Sequence, residues 1–190
     1  MSRSLFIDVD GVVADFDTLA EQVFKMPRRT AEKVFGMERF WANLQSYPGG
    51  FYRQLPLLPD ARLLVRALKQ YNTTFLTGLP RGGWAESQKL AWRDEHFPDM
   101  PMICCSSPEK KNYMKPGDIL VDDWPRYRDL WENAGGVFIL HTSAVDSIER
   151  VKAIYAADEN IAIDCKYLLT NAFARRTLIS GRNNNPTEWA

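Results

Sequence analysis

A chain of 190 residues, 45% of them hydrophobic, is long enough for one ordinary domain with an insertion and apolar enough to pack a core. Its 24 basic residues meet 24 acidic ones, so there is no basic field of the kind that nucleic acids or anionic membranes attract. No apolar run approaches the ~20 residues that span a bilayer, the N-terminus lacks a signal-peptide core, and Cys104, Cys105 and Cys165 have no metal-ligand spacing, which predicts reduced thiols in a cytoplasmic protein.

The first predicted element is a strand, Ser4–Val9, whose apolar run Leu5-Phe6-Ile7 ends in Asp8-Val9-Asp10-Gly11. Residues i and i+2 of an extended segment share a face, and two acids side by side raise each other's pKa unless a cation lies between them. The pair therefore asks for a metal, for one acid held protonated as a catalyst, or for both. Residues 16–58 follow without a convincing strand and are too long for a βα loop. Their helical, aromatic-rich pieces predict a small cap inserted over the strand ends, with Asp15 capping its first helix.

From Pro59 onward strands and helices alternate. A helix carrying Ala61, Leu64, Leu68 and Tyr71 at helical spacing starts at Pro59-Asp60. A strand at Thr73–Thr77 ends in Thr77-Gly78. A helix over Trp84–His96, a strand at Pro101–Ser106 and a strand at Asp118–Asp122 come next, the last ending in the acid pair Asp122-Asp123. A helix over Tyr127–Asn133, a strand at Gly136–Leu140 and a helix over Ser143–Tyr155 complete the pattern. Short, nearly continuous apolar strands separated by helices predict a parallel sheet sandwiched by helices. Beyond residue 156 the pattern weakens: Ile161–Ile163 reads as a short strand, Lys166–Arg175 as a helix and Gly181–Ala190 as a loose tail. The predicted organisation is an α/β core of residues 1–15 and 59–155, a helical cap of residues 16–58 and a C-terminal extension of residues 156–190.

In a parallel sheet the carboxyl ends of the strands converge on one crevice. That crevice would gather Asp8, Asp10, Thr77, a lysine and Asp122, a set suited to phosphoryl transfer. Asp8 would attack phosphorus and form an aspartyl-phosphate. Asp10 would protonate the leaving oxygen and then activate water. Asp8 and Asp122 would hold Mg2+, a hard ion that takes carboxylate and phosphate oxygens. Thr77, the Gly78 backbone N–H and Lys110 or Lys111 would bind the other phosphate oxygens; Lys115 is a third candidate. Arg81 and Arg126, just beyond two of the strand ends, could reach a phosphate or sugar, and Phe16, Phe40 and Trp41 could form a wall for a base. Each feature also has a plain structural reading: turn-forming acids, a solvated lysine pair, a helix cap at Asp122-Asp123, a hydrophobic core in the cap.

The order Asp8-Val9-Asp10-Gly11-Val12-Val13-Ala14-Asp15, then Thr77-Gly78, then lysine, then Asp122-Asp123 resembles the haloacid dehalogenase-like (HAD) phosphatase superfamily over residues 4 to about 140. With Phe16, Phe40-Trp41 and Leu55-Pro56-Leu57-Leu58-Pro59 it is similar to the 5'(3')-deoxyribonucleotidase branch. The resemblance implies a Rossmann-like α/β core with a small helical cap after the first strand, and a Mg2+-dependent phosphomonoesterase. It makes Asp8 nucleophile and metal ligand, Asp10 the acid/base and, through its backbone carbonyl, a metal ligand, and Asp122 a metal ligand with Asp123 behind it. The expected partner is a small phosphorylated substrate, a nucleotide above all; a homodimer is compatible with this reading. Gly78-Leu79 and Trp124 depart from the branch, where polar residues are expected. The competing readings are a phosphatase for a sugar phosphate or a polynucleotide end, and a non-catalytic binding protein on the same fold.

Overall fold

In a computed structural model, residues 3–180 are described. The chain divides into two compact units, residues 1–149 and 150–190. The first holds a five-stranded, wholly parallel sheet: β1 Leu5–Ile7, β2 Thr73–Gly78, β3 Met102–Cys105, β4 Ile119–Asp122 and β5 Val137–Leu140. All lie where the sequence predicts them: β1 is shorter by three residues, β3 by two, β4 and β5 by one, and β2 runs one residue further. The order is β3-β2-β1-β4-β5, so the first strand of the chain is the central one and the winding reverses beside it.

Strand alternation places Phe6, Leu76 and Leu120 on one face. There they pack with Cys105, Phe138 and Trp131. Trp131 meets Phe6 edge-on, with ring centroids 5.7 Å apart, an arrangement worth about 1 kcal/mol beyond area burial. Leu5, Ile7, Phe75, Ile119 and Val121 are fully buried as well. Register is pinned at the amino ends of the strands by Asp118, whose carboxylate accepts from Ser4 N (2.7 Å) and Lys115 N (2.8 Å). With β1 and β4 so aligned, Ile7 pairs with Val121 and the next residues, Asp8 and Asp122, emerge side by side.

Between β1 and β2 lie α1 (Phe16–Phe24), α2 (Arg28–Gln45), a 3-10 turn at Tyr52–Gln54 and α3 (Ala61–Leu68). Asp15 caps α1 as expected, accepting from Thr18 N at 3.0 Å. Gly36, at φ 71° and ψ 156°, breaks α2 into two helical pieces. Ala61, Leu64, Val65 and Leu68 form the buried face of α3. Asp60 precedes that helix, yet its carboxylate accepts from Ala144 N (2.7 Å) and so caps a different one, α6. The remaining helices are α4 (Glu86–His96), α5 (Arg128–Asn133) and α6 (Ala144–Ser180).

Ile161–Ile163 is helical, inside α6, and not the predicted strand. Three alternating residues are too short a signal to outweigh the helix-forming stretch around them, with Ala153, Ala156, Ala157 and Ala162. Lys166–Arg175 falls within the same helix; Gly181–Ala190 lies outside the described residues. The second unit, up to Ser180, is the continuation of α6. Cys104 and Cys105 are unbridged, and burial pushes the Cys105 thiol up to about 11. Among the described residues no helix is long and apolar enough to cross a membrane.

Candidate active site

The chain leaves β1 through a tight loop in which Val13 N and Ala14 N both donate to the Val9 carbonyl and Gly11 N donates to the Ala14 carbonyl. The loop is anchored from outside by Asp15 N to the Pro56 carbonyl and by Leu58 N to the Val13 carbonyl. It fixes Asp8 and Asp10 at the mouth of the sheet. Gly11 sits at φ +76°, and a Cβ there would run into the Asp123 carboxylate. The sequence needs glycine at that point both for the turn and for the close approach of an acid from the neighbouring strand end.

Asp8, Asp122 and Asp123 each bring a carboxylate oxygen within 4.8 Å of the other two. The first two are buried, and Lys110 spans them, with Nζ 3.0 Å from Asp8 Oδ1 and 2.7 Å from Asp122 Oδ2. Asp122 Oδ1 also accepts from Trp124 N at 2.8 Å. Burial alone would lower Lys110, but the Asp8 and Asp122 carboxylates outweigh it and hold the ammonium charged. Asp122 is pushed up by burial and then by the Asp8 charge, against the pull of Lys110. Asp123, more solvent-exposed than the other two, is pushed up to about 7 by desolvation of its carboxyl and by the Asp8, Asp122 and Asp10 charges. With all three ionised, three carboxylates face one ammonium, a surplus of two negative charges that these upward shifts register as mutual repulsion. A hard divalent cation matches that surplus and that all-oxygen donor set.

Asp10 stands apart from this cluster. Its Oδ2 is 2.6 Å from Lys89 Nζ, while its Oδ1 is buried with no hydrogen-bond partner. Desolvation raises its pKa, and Lys89 opposes the rise. Two neighbouring acids therefore live in different surroundings, one in an acid cluster and one paired with a lysine outside it. Such separation is the arrangement in which like side chains can serve unlike roles.

Comparison with known proteins gives a consistent picture. No family model matches the chain. It is 26% identical over 169 residues to putative 5'(3')-deoxyribonucleotidases of Staphylococcus aureus strains Mu50 and MRSA252, covering 80% of this chain and 91% of each relative. A HAD-superfamily hydrolase from Ehrlichia chaffeensis superposes with a TM-score of 0.52 at 14% identity, covering 82% of this chain and 99% of that one. The chain has a HAD-like α/β fold.

On this HAD fold the structure brings together Asp8, Asp10, Thr77, Lys110, Asp122 and Asp123. Thr77 is fully buried at the end of β2, and a Cβ on Gly78 would collide with Ser107 Oγ, so Ser107 covers that strand end. Of the adjacent lysines, Lys110 lies inside and ion-paired, whereas Lys111 is exposed at the rim of the cleft. Phe40 is corrected as a base contact. It has no exposed surface, stacks on Phe24 at 4.8 Å and packs edge-on to Trp41, so it belongs to the core of the helical segment. Phe16, nearly buried, touches Trp41, Phe51 and Tyr52; Trp41 is half-buried. Arg126 lies over the rings of Trp124 and Tyr127 at 5.3 and 5.4 Å, and Arg81 is exposed. Among the described residues, neither forms an ion pair with the acid cluster.

Lys89, paired with Asp10, is the residue beside the predicted site that sequence reasoning passes over. A lysine in the polar helix α4 reads as a solvated charge. The available signal is Trp92, three residues on and fully buried, which puts Lys89 on the buried face of the same helix.

Proposed function

We propose that the protein is a Mg2+-dependent phosphomonoesterase that works through an aspartyl-phosphate on Asp8, with nucleoside monophosphates as substrates. The observation that carries this reading is the split of the acids: Asp8, Asp122 and Asp123 share a surplus of negative charge, while Asp10 is held separately by Lys89. Asp8, Asp122 and Asp123 are the side chains that would hold the metal, aided by the Asp10 backbone carbonyl. Bound there, Mg2+ would neutralise the approach of a phosphate dianion to carboxylates.

A carboxylate oxygen of Asp8 attacks phosphorus, and the bond from phosphorus to the ester oxygen breaks. Asp10 gives its proton to that leaving oxygen, releasing the alcohol. Water then attacks the phosphorus of the aspartyl-phosphate and its proton passes to Asp10. The bond to Asp8 breaks, and inorganic phosphate leaves. Lys110 and the Thr77 hydroxyl hold the phosphoryl oxygens throughout. Residues 16–58 serve as the cap that selects the substrate over a core of residues 1–15 and 59–155. Trp41 and Trp84, half-buried at the ends of an aromatic run through Phe16 and Tyr52, are suited to stacking a base, and the relatives named as putative 5'(3')-deoxyribonucleotidases favour a nucleotide.

A hydrolysis screen of 5' and 3' nucleoside monophosphates, deoxy and ribo, beside sugar phosphates tests the substrate class. Nucleotides should be preferred, and chelation should abolish turnover until Mg2+ is restored. A flat profile would remove the nucleotide assignment, and full activity in chelator would remove the metal. Gly11→Ala tests Asp123. The new Cβ must displace that carboxylate, so Mg2+ affinity measured by titration should fall roughly 10- to 100-fold, as for lost supporting groups at other metal sites. Unchanged affinity would detach Asp123 from the metal.

A further inference from the structure

Lys89 is 1% exposed, an unusual place for a lysine. Its ammonium lies 2.6 Å from Asp10 Oδ2, 2.8 Å from Thr77 Oγ1 and 4.3 Å from the ring centroid of Tyr52. Three N–H bonds thus find two oxygens and one aromatic face. The carrier helix is fastened in turn: Gln88 Oε1 accepts from Tyr52 N at 3.0 Å, and Trp92 Nε1 donates to the Leu55 carbonyl at 2.8 Å. Lys89 therefore has little freedom to leave.

Resting on the phosphatase reading, we infer that Lys89 is a positioning residue for both halves of the site, fixing which oxygen of Asp10 carries the catalytic proton and which way the Thr77 hydroxyl donates. The chemistry follows from donor count. An ammonium only donates, so Thr77 Oγ1 must accept from it, and the hydroxyl hydrogen is turned away from Lys89 and left for a phosphoryl oxygen. In the same way Asp10 Oδ2 is committed to Lys89, and Oδ1, which nothing else in the fold bonds, is the oxygen that holds the proton. When the ester bond to phosphorus breaks, that proton moves from Asp10 Oδ1 to the leaving oxygen and the carboxylate charge that remains stays paired with Lys89. One side chain from α4 thus couples the end of β2 to the loop after β1.

Lys89→Met keeps the length and removes the donors. Wild type and variant are compared on p-nitrophenyl phosphate, whose leaving group scarcely needs a proton, and on an alkyl phosphate, whose leaving group does. The variant should lose roughly 10²-fold in kcat on the alkyl ester and under roughly tenfold on the aryl ester. Its KM should rise on both, because Thr77 is no longer oriented. Lys89→Gln, with a shorter but still donating side chain, should recover part of the alkyl activity, and it carries the same comparison if the methionine variant does not fold. An equal loss on both esters in a folded variant, or no loss, would overturn the inference while leaving the phosphatase reading intact. A wild type that hydrolyses neither ester would overturn the phosphatase reading and the inference with it.

Discussion

Asp8→Asn should cut turnover of p-nitrophenyl phosphate by on the order of 10⁴-fold or more, the scale on which nucleophile deletions act. The amide is nearly the same size as the carboxylate but cannot attack phosphorus. Fold is not at stake, because Lys110 keeps its 2.7 Å pair with Asp122 and the backbone N–H of residue 8 still bonds to the Val121 carbonyl. Removal of the Asp8 charge also relieves one of the forces that push Asp122 and Asp123 up. The variant should therefore fold at least as readily as wild type in the absence of metal, and bind Mg2+ more weakly for want of one carboxylate. Steady-state kinetics beside a metal titration reads both effects. Turnover within tenfold of wild type would end the case for Asp8 as nucleophile, whatever the metal data show.

Lys110→Met should be the most destabilising single change at the site. The lysine is buried between two buried carboxylates, and breaking such a network by removing one partner costs about 3–5 kcal/mol. For a chain of this size that is a fall in Tm of about 10 °C. Asp8 and Asp122 then lose the ammonium that pairs with both, so Mg2+ should raise the Tm of the variant more than that of wild type. Activity should drop roughly 10²- to 10³-fold even at saturating metal, because a phosphoryl oxygen loses its cation. Lys111→Met is the control: an exposed neighbour should change stability by no more than about 0.5 kcal/mol. A metal-free Tm for the Lys110 variant equal to wild type would show that Lys110 is not what balances Asp8 and Asp122.

These residues also show what the sequence could and could not reveal. The strands were legible because each is a short apolar run bounded by turn residues, and Asp8, Asp10, Thr77 and Asp122 were legible because each ends such a run. Position at a strand end is a local property. Lys110 against Lys111 was not legible: neighbours in a tight turn point in different directions, and which one turns inward depends on where β4 places Asp122. Lys89 was hidden for a related reason. Its partners lie 79 and 12 residues away, and its helix has a polar composition overall. Phe40 misled because an aromatic residue in an inserted segment reads equally well as ligand wall or as core, and the stack on Phe24 decides for core. Asp60 sits correctly as a helix-start residue, but the helix it caps is 84 residues further on.

The central place of β1 has a consequence for synthesis. Its two neighbours are β2 and β4, and the Asp118 clamp that sets the second pairing joins residues 114 apart in the chain. At a translation rate of roughly 5–20 residues per second, the nascent chain waits on the order of ten seconds between the emergence of Ser4 and that of Asp118. During that interval one flank of a fully apolar strand has no native partner, which is the condition that invites pairing with another chain. Asp8 and Asp10, next to that flank, are two like charges with neither Lys110 nor Asp122 yet in place, and their repulsion disfavours docking a second copy of the same segment. Two adjacent charges at the end of an apolar strand are thus placed where gatekeeper residues discourage self-association of a growing chain.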